Sequence, residues 1–151
     1  MLSFTSLLHK DKTNPAYTRT IHPKLGLLGL LGFLGLLGFL GFATFPLKEV
    51  FPVPFLFFFF GFFGFFGFYY EGKLSHTLQD ERFCSNAYRA EAIANKTALL
   101  LILGVALFMF SLFHNISAYV ALSVLIAAIG LAFGLSVFLQ QYLLFRFENE
   151  E

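Results

Sequence analysis

Residues 24–45 read KLGLLGLLGFLGLLGFLGFATF. Glycine stands at 26, 29, 32, 35, 38 and 41, and Leu or Phe fills nearly every position between. After a proline-bearing break the beat returns at Gly61, Gly64 and Gly67, now with Phe as filler. A period of three suggests collagen, but collagen needs Pro between its glycines, and none occurs between Leu25 and Phe45. A dinucleotide loop needs G-x-G-x-x-G between a strand and a helix, a spacing missing here. A P-loop needs Gly-Lys followed by Ser or Thr, and Gly72-Lys73-Leu74 breaks that rule. Glycine at this density disfavours a cross-β zipper. What remains is a membrane-crossing helix: 25–45 is uncharged and long enough for ~30 Å of hydrocarbon.

Glycine costs about 1 kcal/mol against Ala in a water-exposed helix. In lipid an unpaired amide costs several kcal/mol, so the helix forms despite the glycines, which permit close backbone approach. At the α-helical pitch of about 100° per residue, each glycine falls about 60° behind the last. That geometry predicts a row spiralling around the helix, with small surface on several sides rather than one seam.

The composition fits the same class. Of 151 residues, 58% are hydrophobic and 13% charged, where a soluble domain carries about 25% charge. The net charge of +1 does not favour nucleic acid. The single Cys84 excludes an internal disulfide and a cysteine-rich zinc site. Residues 1–23 read as a loosely ordered extension, and the first span as uncleaved, because FATFP lacks a small-x-small cleavage site.

A connector with Pro46 and Pro52 leads to a second span over 53–70, with Pro54 in its first turn and Tyr69 and Tyr70 at the interface. The polar stretch that follows predicts an amphipathic helix over 78–96 that runs on into the third span, with Thr77 as N-cap. Phe83, Ala87, Ala90 and Ala94 recur along it at helical spacing. Spans over 97–113 and 118–139 follow, joined by a turn at His114-Asn115-Ile116-Ser117. Gly130 and Gly134 form a G-x-x-x-G pair suited to a close helix contact. Residues 148–151 are an acidic tail behind a 24–147 membrane domain.

Nine of the ten Lys and Arg lie in the N-terminal segment, the middle segment and the tail, and one, Lys48, in the first connector. The positive-inside rule then predicts both termini and the middle helix in the cytoplasm. A hairpin of the first two segments that does not fully cross would give the same pattern.

Lys24-Leu25-Gly26 opening the repeat, Tyr70-Glu71-Gly72-Lys73, Asp80-Glu81-Arg82-Phe83 and Asn86-x-Tyr88-Arg89-Ala90 resemble a domain-of-unknown-function family. Its members are small multi-pass membrane proteins found mainly in Gram-positive bacteria. The resemblance runs from about Lys24 onward and implies a bacterial inner-membrane location, but no reaction.

The expected fold is thus an all-α integral membrane protein: four transmembrane helices as two hairpins, with a cytoplasmic amphipathic helix between the second and third spans. None of the spans so drawn holds Asp, Glu, Lys or Arg, which argues against an autonomous ion-coupled transporter. His76 near Asp80 and Glu81 reads as a helix-start surface rather than a metal or acid–base cluster. Ser75 has no evident base. The sequence therefore points to a non-enzymatic membrane component, without cofactor or metal, whose partners are the bilayer and either a second copy or another membrane protein. Asp80, Glu81, Arg82 and Arg89 form the candidate interaction surface, and Gly130 and Gly134 the packing contact. The alternative is a small transporter or channel subunit that forms a pathway only as an oligomer.

Overall fold

A computed structural model describes residues 22–43, 53–75, 77–111 and 117–150. The N-terminal extension, the connector with Pro46 and Pro52, His76 and the turn at His114 lie outside these residues. Every described element is helical, and together they form four rods. Rod 1 (23–43) is a 3-10 helix, Pro23–Phe39, ending in an α-turn, Leu40–Ala43. Rod 2 (53–73) is an α-turn, Val53–Leu56, then a 3-10 helix, Phe57–Phe66, then an α-helix, Gly67–Lys73. Rods 3 and 4 are the α-helices Glu81–Ser111 and Ala118–Asn149. All four are long and apolar enough to cross a membrane, so the chain has the build of a multi-pass membrane protein.

The 3-10 pitch corrects the spiral expected from α geometry. At 3.0 residues per turn, residues three apart stand directly above one another. The glycine row of rod 1 is therefore a straight stripe, and it is buried from Gly29 to Gly41. Such helices rarely exceed 3–4 residues, partly because side chains at i and i+3 eclipse. Here one row in three has no side chain to eclipse, and rod 2 packs into the space. A Cβ on Gly32, Gly35, Gly38 or Gly41 would fall 2.5–2.7 Å from the ring of Phe66, Phe63, Phe60 or Phe57 respectively. Each step of three up rod 1 matches three back along rod 2, so the two rods run antiparallel.

In rod 2 the eclipsed rows are aromatic, and eclipsing becomes stacking. Phe60, Phe63 and Phe66 follow one another with centroids 6.1 and 6.2 Å apart, and Phe59, Phe62 and Phe65 at 5.6 and 5.5 Å. These spacings approximate one 3-10 turn of about 6 Å and suit offset stacking. The 3-10 rise also lengthens the rods. The 17 residues of Pro23–Phe39 cover about 34 Å, against about 26 Å as an α-helix. Rod 2 gains reach in the same way, and its helix continues three residues past the expected end at Tyr70.

Rod 2 turns its glycine row to rod 4. A Cβ on Gly134 would fall 2.9 Å from the Phe60 carbonyl oxygen, and one on Gly64 3.0 Å from that of Gly134. Residue numbers rise together along this contact, so rods 2 and 4 are parallel. Rod 3 lies antiparallel on the other flank of rod 4, where Ser136 Oγ donates to Asn95 Oδ1 at 2.8 Å. The rods thus pack in the spatial order 1-2-4-3. Among the described residues only stray contacts join rod 3 to rods 1 and 2, or rod 1 to rod 4. This is an open row, not a closed bundle.

Candidate functional site

The polar groups collect at one end of the row because the registers bring them there. Lys24 begins rod 1 and Lys73 ends rod 2; the start of rod 3 packs on the end of rod 4. Asn86 Nδ2 donates to Glu148 Oε1 at 2.8 Å across that last contact. The Arg89 guanidinium lies 4.7 Å over the Phe147 ring. Beneath these groups Leu74, Phe83, Ala90 and Leu144 form a buried apolar cluster. Between rods 2 and 4, Tyr70 packs edge-on against Phe138 and Tyr142, which gives this end an aromatic floor.

Rod 3 begins later than the sequence suggests. The Asp80 side chain accepts from the Phe83 amide at 2.7 Å, and its carbonyl accepts from Cys84 at 3.1 Å. Asp80, not Thr77, is therefore the N-cap, and Glu81 occupies the first turn, where negative charge meets the helix dipole favourably. From Glu81 the helix runs unbroken to Ser111, so the amphipathic stretch and the third span are one rod. Phe83, Asn86, Ala90, Ala94 and Ala98 are its buried residues, a stripe of spacing three and four. Asp80, Glu81, Arg82 and Arg89 are all exposed around its first turns. Asp80 is used as a cap, Arg89 covers a ring, and Glu81 and Arg82 lie exposed in the first turn. Lys96, halfway along rod 3, follows Asn95 and is exposed.

Gly130 and Gly134 face rod 2 of the same chain. A Cβ on Gly130 would meet the Phe57 carbonyl oxygen at 3.1 Å. The small face is therefore already occupied within the chain.

One residue escaped the sequence reading. Glu71 is 2% exposed and lies inside the helix that ends rod 2. Drawing the second span to Tyr70 placed it outside the span; the candidate span runs from Pro54 to Lys73 and includes it. The signal was its place four residues after Gly67, which in an α-turn sets it on the same buried side. Lys73, by contrast, is exposed, with Nζ 4.6 Å over Tyr69 and 5.4 Å over Phe145. No group of three or more His, Cys, Asp or Glu suited to a metal ion occurs among the described residues.

No protein-family model, no curated protein and no solved structure matches the chain.

Proposed function

We propose that this protein is a non-enzymatic component of the bacterial inner membrane that associates with a membrane partner and presents the start of rod 3 to it. In this reading the four rods cross as two hairpins, and the polar end, with both termini, faces the cytoplasm. The observation that carries it is the open row. Rod 3 stands at its edge, packs along rod 4 with Leu74 against its start, and carries exposed Glu81, Arg82 and Arg89 in its first turns. The distribution of Lys and Arg supports the orientation, since nine of ten lie in segments assigned to the cytoplasm. The bacterial location rests on the resemblance of the Asp80–Arg89 region described above.

Two measurements test this. Reporter fusions at Lys48, His76, Asn115 and the C terminus are expected to report outside, inside, outside and inside; an external His76 ends the model. Replacing Arg82 and Arg89 with Gln is expected to leave membrane level and topology intact while lowering capture of the partner from native membranes. Unchanged capture would reduce the segment to a connector.

Buried Glu71 favours a second reading, a subunit of a small transporter or channel. An ionisable group within a span is a common mark of ion or substrate pathways. Flux in liposomes that Glu71→Gln abolishes would select this reading over the first.

A further inference from the structure

The geometry points to a binding site for one anionic phospholipid at the polar end of the seam between rods 1 and 2. There a cleft of about 260 Å³ is lined by Gly26, Leu27, Tyr69, Gly72 and Lys73. It exists because the two backbones meet through glycines: a Cβ on Gly26 would stand 3.8 Å from the Gly72 Cα, and neither residue has a side chain to fill the mouth. The Lys73 ammonium is held at the rim by the faces of Tyr69 and Phe145, which limits its freedom before any ligand arrives. Among the described residues neither Lys73 nor Lys24 makes an ion pair. Glu71 does not line the cleft, being about 200° around the α-turn from Lys73 and buried.

The 3-10 pitch supplies the second half of the site. Lys24 heads a row that continues straight through Leu27, Leu30 and Phe33, since three residues make one turn. These three are 64%, 62% and 58% exposed. An α-helix would wind such a row away from the seam; here it is a straight apolar rail parallel to the rod, beginning at a cation. Lys24 does not line the cleft but stands one 3-10 turn before Leu27, which does; in this reading the headgroup phosphate sits at the Lys73 rim with Lys24 on its approach side, and an acyl chain lies along the rail.

A membrane lipid suits this pairing better than a free anion. Two exposed lysines hold an ion in water only weakly. A lipid is confined to the bilayer, which raises its effective concentration at the cleft, and basic pockets between spans are a known mode of headgroup recognition. The inference rests on the membrane embedding of the rods and uses neither their orientation nor a protein partner.

Native mass spectrometry of the full chain in detergent, with added phosphatidylglycerol or phosphatidylcholine, reads the site. One phosphatidylglycerol should be retained at least five-fold in preference to phosphatidylcholine. Lys24→Gln and Lys73→Gln should each lower retention about three-fold, and Lys96→Gln should leave it unchanged. Equal retention of the two lipids by the wild-type chain overturns the site, a result that needs no variant to fold. An equal loss in Lys96→Gln also overturns it, because attraction is then diffuse. Displacement of phosphatidylglycerol by millimolar inorganic phosphate would show a free-phosphate site and overturn the lipid assignment.

Discussion

Rods 1 and 2 bring two apolar helices together by a different device from rods 3 and 4. In the first pair glycine recurs every third residue, the helix adopts three residues per turn, and rings from rod 2 enter the glycine stripe. In the second pair alanine recurs every fourth residue, at Ala90, Ala94 and Ala98 on rod 3 and Ala128 and Ala132 on rod 4, and both helices are α. Each period matches the pitch that keeps its small residues on one side. The difference teaches that an unbroken sequence period can select the type of helix. Away from water both types satisfy the backbone, so packing decides between them. An α-helical rod 1 would turn most glycines away from rod 2 and Leu toward its rings.

The largest expected effect follows from that matching. Deleting Leu36 alone brings Phe39 and Phe42 into the row that Gly38 and Gly41 now occupy, opposite Phe60 and Phe57. Two ring-for-hydrogen replacements overpack the seam, at about 1–3 kcal/mol each and more where nothing yields. Deleting the unit 36–38 removes one turn but leaves Gly41 in line. Membrane level and resistance to denaturant in detergent should collapse for the first variant and largely survive in the second. Equal damage from both would break the claim that rod 1 works with a period of three.

The 3-10 pitch was in the sequence twice, in the glycines of rod 1 and in Phe57, Phe60, Phe63 and Phe66 of rod 2. The α pitch, which backbone hydrogen bonding prefers when side chains do not intervene, hides it. The four helices long and apolar enough to cross a membrane were legible because a continuous uncharged run has few other fates. Their order in space was not, since Gly61, Gly64 and Gly67 could have met any small face; the choice of Gly130 and Gly134 depends on tertiary fit. Near the polar end, Thr77 and Asp80 are equivalent capping candidates by residue type. Asp80 prevails because the helix starts directly after it. Glu71 was hidden by a boundary placed at the last aromatic residue.

The second prediction tests whether contact or composition makes a glycine necessary. Gly134 in rod 4 is pressed against the carbonyls of Phe60 and Gly61, at 2.9 and 3.1 Å from a would-be Cβ. Gly104 in rod 3 has no such neighbour within 4 Å. Gly134→Ala should therefore cost about 1–3 kcal/mol by forcing two backbones apart. Gly104→Ala should be neutral or stabilise by up to about 1 kcal/mol through helix propensity. Unfolding in mixed micelles separates the two. A harmless Gly134→Ala would mean that rods 2 and 4 are held by something other than close approach.

The smallest expected effect concerns the polar contact in the α-helical pair. Ser136 Oγ donates to Asn95 Oδ1, joining rods 3 and 4 beside the alanine stripe. A single hydrogen bond between membrane helices averages about 0.6 kcal/mol in double-mutant cycles, because separated helices find other partners for the same groups. The cycle of Ser136→Ala and Asn95→Ala should therefore return a coupling near that value. Both side chains are only partly buried, so water or headgroups can replace the lost partner in either single variant. A coupling above about 2 kcal/mol would instead place the pair in a dry interface, where an abandoned partner costs its full desolvation penalty. The alanine stripe would then be secondary, and the second pair of rods would be held by polar contacts where the first is held by shape.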